Sequence, residues 1–61
     1  MKPFTMYELI VTHRTLNSMI DRVEAQSPDL AWVRKFEGYW SEAPSTLMTR
    51  IECNGVVILP E

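Results

Sequence analysis

The sequence predicts a small α+β domain with a long N-terminal helix, a short second helix and a C-terminal β-hairpin. This prediction depends on a capping box followed by a helical stripe, a Ser-Pro-Asp helix start in the middle of the chain, and an Asn-Gly turn near its end. A chain of 61 residues has room for one domain, which we assign to residues 1–61.

The predicted first helix begins at a capping box. Thr5 as N-cap and Glu8 three residues later satisfy each other's free backbone donors, and Phe4 precedes the cap as the outer half of a hydrophobic staple. Apolar residues and one histidine then recur at helical spacing. This stripe consists of Met6, Leu9, His13, Leu16, Ile20 and Val23.

An alternative interpretation makes residues 5–12 a strand. Tyr7, Leu9 and Val11 occupy alternate positions, and the β-branched run at positions 10–12 favours extended backbone. A helix would then begin near Leu16, and the order of elements would be β-α-β-β.

The second predicted helix starts at the Ser-Pro-Asp sequence. Ser27 is a preferred N-cap, Pro28 fits the first helical position, and Asp29 suits the positive end of the helix dipole. We expect this helix to run from Pro28 to about Glu37, with Gly38 as its C-terminal cap.

The last predicted element is a β-hairpin with strands at Thr46–Cys53 and Val56–Leu59. Asn54-Gly55 between them is typical of a type I′ turn, which needs a positive φ at both central residues. Because a two-residue turn fixes the register, the predicted pairs are Cys53 with Val56, Glu52 with Val57, Ile51 with Ile58, and Arg50 with Leu59. One hairpin face, with Thr49, Ile51, Cys53, Val56 and Ile58, is expected to pack on the helices.

Composition and charge narrow the classes of function. Hydrophobic residues at 46% and charged residues at 23% are typical of a folded domain. A net charge of −2 provides no broad basic field, which argues against nucleic acid as a partner. No apolar run approaches the roughly 20 residues that span a bilayer, so we expect no membrane partner. A single cysteine suits the reducing cytoplasm.

No catalytic, metal or cofactor site is predicted. His13 and Cys53 are the only residues of their kinds, and a structural zinc site needs four ligands. We interpret His13 as a packed or interface histidine and Cys53 as a small buried hydrophobe. The carboxylates are scattered along the chain, as on a solvated surface. We therefore expect no enzyme and no cofactor.

Aromatic residues concentrate in the second predicted helix and just after it, beside Arg34 and Lys35. Aromatic and arginine side chains dominate the energetics of protein interfaces. The outer face of the hairpin is also half apolar, which a purely solvated face need not be. The predicted partner-binding residues are therefore Trp32, Phe36, Tyr39, Trp40, Met48, Val57 and Leu59.

These features predict a non-enzymatic protein–protein interaction module, a small regulator or inhibitor of another protein. A phage- or plasmid-encoded antagonist of host machinery would have such a size and charge. A domain with this little core and no disulfide or metal is expected to form a homodimer or a larger homo-oligomer. The alternative is a small dimeric DNA-binding transcriptional regulator of truncated winged-helix type, with the hairpin as its wing.

Overall fold

A computed structural model describes residues 5–58, which form one helix packed on one face of a four-stranded antiparallel sheet. The spatial order of the strands is β2-β1-β3-β4, so β1 and β3 are central and β2 and β4 are the edges. The elements are β1 at Tyr7–Arg14, β2 at Met19–Ser27, α1 at Leu30–Ser41, β3 at Thr46–Cys53 and β4 at Val56–Ile58.

The predicted long N-terminal helix is wrong, because this part of the chain forms the β1–β2 hairpin. β1 lies between β2 and β3 and is buried on both faces. Leu9 and Val11 are fully buried beneath α1, while Ile10 and Thr12 are buried on the opposite face. Burial on both sides of a β-branched run favours strand, and this non-local packing outweighs the local capping box and stripe.

The alternative order β-α-β-β is wrong as well. It places a strand correctly near the N-terminus, but its helix from Leu16 does not form. Leu16 lies in the turn between β1 and β2 and is 97% exposed. The Thr15 amide donates to the Ser18 carbonyl at 2.8 Å and closes this turn. Phe4, the outer half of the predicted staple, lies outside the described residues.

The helix α1 starts two residues later than predicted. Asp29, and not Ser27, is its N-cap, and the Asp29 carboxylate accepts from the amides of Ala31 and Trp32 at 3.0 and 3.3 Å. The Ser27 hydroxyl instead accepts from the Asp29 amide at 3.1 Å. The Asp carboxylate also interacts favourably with the positive end of the helix dipole, which explains why it takes this position.

The helix also continues past Gly38 to Ser41, so the predicted cap at Gly38 is wrong. An interior glycine costs a helix about 1 kcal/mol relative to alanine. The additional turn brings Trp40 edge-on to the His13 ring, with 5.3 Å between the ring centroids, and this contact offsets that cost. At 12 residues, α1 is not long and apolar enough to cross a membrane, and residues 5–58 contain no other helix.

The core lies between α1 and the sheet. Val33 on α1 is fully buried against Leu9 and Val11 of β1 and Ile51 of β3. Partly buried residues extend the core on all sides: Tyr7, Ala25, Leu30, Trp40 and Ile58. The helix covers only this face of the sheet, so the core is one-sided.

The C-terminal hairpin and its register are confirmed. Cys53 lies opposite Val56, Glu52 opposite Val57, and Ile51 opposite Ile58. Asn54 and Gly55 have φ values of 53° and 81°, in the left-handed region that a type I′ turn requires. The predicted pair of Arg50 with Leu59 involves a residue outside the described part of the chain.

The two glycines provide a matched test of this fold. Gly55→Val should lower the free energy of unfolding by about 1–3 kcal/mol, because a β-branched residue resists a positive φ. Gly38→Ala should raise it by about 0.5–1 kcal/mol, because alanine favours the helix interior. A Cβ atom at either position meets no heavy atom within 4 Å, so both effects report on the backbone alone. Urea denaturation at one protein concentration measures them, and equal stability of the two variants would contradict the assigned turn and helix.

Candidate functional site

One face of the sheet is left uncovered by α1, and we call it the open face. At its centre Ile10 and Thr12 are buried by their neighbours on β2 and β3. Large apolar side chains surround this centre: Met19, Val23, Met48 and Val57 are between 47% and 64% exposed. By the strand registers, the polar residues of the open face are Glu8, Arg14, Asp21, Gln26, Arg50 and Glu52.

A hydrogen-bonded charge network crosses the open face from β2 to β3. Thr12 Oγ1 donates to Asp21 Oδ1 at 2.6 Å, and Arg50 Nη2 donates to Asp21 Oδ2 at 3.2 Å. Arg50 Nε donates to Glu52 Oε2 at 2.6 Å. The hydrogen bond from the Thr12 hydroxyl is the main reason that the pKa of Asp21 lies below its usual range, and the bond from Arg50 is the second. The hydrogen bond to Glu52, and after it the bond to Asp21, raises the pKa of Arg50. The network therefore fixes these side chains in place.

The open face carries net negative charge. Its carboxylates are Glu8, Asp21 and Glu52, whereas its cations are Arg50 and, at the end of β1, Arg14. Because Arg50 already bonds to two of the carboxylates, the remaining negative potential favours a basic group on any molecule that covers this face.

The helix presents a second exposed apolar surface, the aromatic flank, which consists of Trp32, Phe36 and Tyr39. These side chains are 42%, 36% and 71% exposed, and the Trp32 and Phe36 rings are in contact with 4.5 Å between their centroids. Trp40, the fourth aromatic residue of this region, turns inward to His13 instead. The aromatic flank therefore consists of two rings in contact, Trp32 and Phe36, and is most accessible at Tyr39.

The aromatic flank lies on the β2 side of α1. On the opposite side, Arg34 and Glu37 line a cavity with residues of β3 and β4, and the Glu37 carboxylate accepts from the Thr49 hydroxyl at 3.2 Å. Successive residues are rotated by about 100° around the helix axis. Trp32 and Phe36 are each two residues from Arg34, so both lie about 160° away from it around this axis, on the far side of the helix. They therefore point towards the edge strand β2.

The outer edge of β2 is unpaired within residues 5–58. Ile20, which is 46% exposed, lies on the helix side of this strand, opposite His13. A bulge at Glu24 lets its carboxylate reach His13 Nε2 at 3.2 Å, and Arg22 Nε lies 4.0 Å from the same carboxylate. The edge of β2 thus carries a cation and an anion side by side.

The predicted partner-binding residues divide between these two surfaces. Trp32, Phe36 and Tyr39 lie together on the helix side, whereas Met48 and Val57 lie on the open face. Trp40 is half-buried against the sheet, and Leu59 lies outside the described residues.

The predicted partner-binding residues do not include the exposed apolar residues of β2, which are Met19, Ile20 and Val23. Sequence reasoning assigned Ile20 and Val23 to the apolar stripe of a helix. The residues from 19 to 23 show no strict alternation of apolar and polar side chains, because each face of this edge strand carries both kinds of residue. The available signal was the alternative that makes residues 5–12 a strand. A strand needs a neighbouring strand for its backbone hydrogen bonds, and the next segment of the chain could supply it.

The side chains that could take part in catalysis or metal binding lie apart from one another. His13 is engaged by Glu24 and Trp40, and Cys53 is a free, half-buried thiol at the end of β3. No group of three or more His, Cys, Asp or Glu side chains among residues 5–58 is arranged to hold a metal ion.

Comparison of the chain with protein-family models, with curated proteins and with solved structures found no significant match. Its surfaces are therefore interpreted from its own residues.

The charge network on the open face can be tested by titration. The folded-state pKa of Asp21 lies below its ordinary value of 3.8, so ionised Asp21 stabilises the fold above that pH. This stabilisation is lost as the pH falls through the lower folded-state pKa. Carboxyl ¹³C NMR should give an Asp21 pKa below 3.8 in the parent and a higher value in Thr12→Val. Thr49→Val, which removes a hydroxyl bonded to Glu37, is the matched control. An Asp21 pKa unaffected by Thr12→Val would contradict the network.

Proposed function

We propose that this chain is a non-enzymatic protein–protein interaction module, a small regulator or inhibitor that self-associates and binds another protein through its open face. The observation that carries the proposal is the ring of exposed apolar side chains around a fixed charge network, on a sheet face that no element of residues 5–58 covers. Exposed apolar surface on a small domain marks an interaction site when it is contiguous and rimmed by polar residues.

The open face combines a hydrophobic driving force with a preorganised polar centre. Complete burial of a side chain such as Met48 or Val57 contributes roughly 1.5–3 kcal/mol, and both are about half exposed. Arg50 is held by Asp21 and Glu52 before any partner arrives, so little side-chain freedom is lost on binding. A partner of complementary chemistry presents apolar residues together with basic groups.

Nucleic acid does not fit this chemistry. Carboxylates on the open face repel a phosphate backbone, and the net charge of −2 adds no long-range attraction. The winged-helix alternative requires two helices before the hairpin, whereas residues 5–58 contain one, so the fold on which it depended is wrong. The hairpin tip at Asn54-Gly55 carries no cation.

The side chains that could support catalysis have structural partners. His13 packs on Trp40 and bonds to Glu24, and Cys53 has no base beside it among its described contacts. A nucleophile needs an adjacent base and an orienting group, so binding accounts for this surface better than catalysis does. A free thiol is compatible with a reducing compartment, and we place the protein in the cytoplasm.

Capture from the cell that encodes this chain tests the proposal. The immobilised parent should retain a protein partner. The double variant Met48→Lys/Val57→Lys should retain at least tenfold less of it, because two added cations would oppose both the apolar and the basic parts of that partner. Leu16→Lys is the matched control, since Leu16 is an exposed apolar residue outside the open face.

Quantitative mass spectrometry of the retained proteins gives the readout, and duplex DNA serves as a second probe. Equal retention by the open-face variant and the Leu16 control would contradict the proposal. Tight duplex binding that weakens steeply with salt would contradict it too, because that dependence is typical of phosphate contacts.

A further inference from the structure

The described parts of the two sheet edges differ greatly in length. β2 is an edge strand of nine residues, whereas β4 at the other edge has three residues within the described part of the chain. An exposed edge presents unpaired backbone donors and acceptors, which pair readily with another strand. Around the β2 edge, exposed apolar side chains occur on both faces of the sheet: Met19 and Val23 on the open face, Ile20 on the helix side.

We infer that the partner of this edge is a second copy of the chain, bound antiparallel along β2 so that two sheets form one of eight strands. The inference rests on the proposed self-association and names its surface. A two-fold axis perpendicular to the sheet, passing between the two copies of Val23, the middle residue of β2, pairs Arg22, Val23 and Glu24 with the other strand, and the bulge in each strand shifts the pairing by one residue beyond them. Both helices then lie on the same side of the joined sheet.

Charge complementarity supports this register. We call the contact between the two β2 strands the seam. With Val23 at the centre, Arg22 of each copy lies opposite Glu24 of the other, so the seam contains two opposite-charge pairs. A register centred on Arg22 would place two guanidinium groups opposite each other, and one centred on Asp21 would oppose two carboxylates. Opposed like charges are destabilising, which favours the Val23 register over these two.

The bulge at Glu24 and the charges on β2 are features that often protect an edge from pairing. Here Arg22 and Glu24 flank Val23 on either side. They attract the oppositely charged residues of a second copy and repel a strand that places like charges opposite them. Glu24 lies on the helix side together with Arg22, so both charges of each pair are on one face. These features therefore make the edge selective.

The aromatic flank extends the same seam above the sheet. With strands about 4.8 Å apart, helices centred between β1 and β3 in each copy would have their axes about 19 Å apart, or about 14 Å if centred over β1. Backbones do not touch at that distance, but large side chains can fill the gap. Trp32 and Phe36 point towards it from each helix, and Ile20 lies on the same side of the sheet on β2.

The area approaches that of a specific dimer. Five side chains at the seam are on average about half exposed: Trp32, Phe36, Met19, Ile20 and Val23. At about 150–250 Å² for a large side chain they expose roughly 350–600 Å² per copy. Both copies together therefore offer about 700–1,200 Å² of apolar area, to which the edge backbone and polar side chains of β2 add, and stable interfaces begin at about 1,200 Å². Stacking of two open faces is less favourable, because both carry net negative charge.

Sedimentation equilibrium of the full chain between about 10 and 100 μM tests the seam. The parent should have twice its 7.1 kDa chain mass. Arg22→Glu and Glu24→Lys should each be monomeric, with at least a tenfold higher dissociation constant, because each places like charges opposite each other. An equimolar mixture of the two variants should return to the doubled mass, since opposite charges then face each other across the seam.

Recovery in the mixture separates pairing from misfolding, because two unfolded variants would not restore each other. Glu42→Lys, a charge reversal at the exposed end of α1, is the matched control and should stay dimeric. A monomeric parent at 100 μM, or a dimer that neither variant weakens, would overturn the inference. Arg22→Glu should still capture a protein partner, and Met48→Lys/Val57→Lys should still dimerise. Failure of the β2 dimer can therefore be distinguished from failure of partner binding at the open face.

Discussion

The packing of Val33 onto Leu9, Val11 and Ile51 is the contact on which the rest of the structure depends. It fixes one 12-residue helix across the middle of a sheet whose long strands have eight or nine residues. A single helix is about 10–12 Å wide with its side chains, whereas four strands span about 19 Å. One helix therefore cannot cover its own face to both edges, and nothing in the described part of the chain covers the opposite face.

The exposed apolar residues follow from this mismatch. Ile20 and Val56 lie on the helix side but towards the two edges, beyond the reach of α1, and both are exposed. Met19, Val23, Met48 and Val57 lie on the uncovered side. Exposure at the edge and exposure on the open face thus have one cause but different consequences. An edge offers backbone hydrogen bonds to another strand, while a face offers only side chains.

Local signals in the sequence predicted the parts of the fold that local geometry determines. Asn54-Gly55 sets the hairpin register through two positive φ values, and no distant residue is needed. Asp29 beside a proline marks a helix start to within two residues. The N-terminal half differs because β1 pairs with residues up to 46 positions away, such as Tyr7 with Cys53. A capping box cannot report such contacts.

The same division explains which candidate residues could be found. Trp32, Phe36 and Tyr39 lie in a helix that the sequence places correctly in outline, and their exposure follows from a helix with one buried face. Met48 and Val57 follow from the hairpin register. Met19 and Val23 belong to the misassigned half, so their exposure could be recognised only after β2 was placed at the edge.

The unequal edges also decide how far self-association can proceed. Pairing of β2 with its own copy is symmetric and uses the long edge of both molecules, so it closes at two copies. Pairing of β2 with β4 of a neighbour would be head-to-tail and could continue without limit, as in a fibre. Within residues 5–58, β4 offers three residues for such a ladder, so few hydrogen bonds would form there. In the proposed assembly, the difference between the two described edges favours a closed pair. The two open faces would then lie side by side on the same surface of the joined sheet, available to a protein partner.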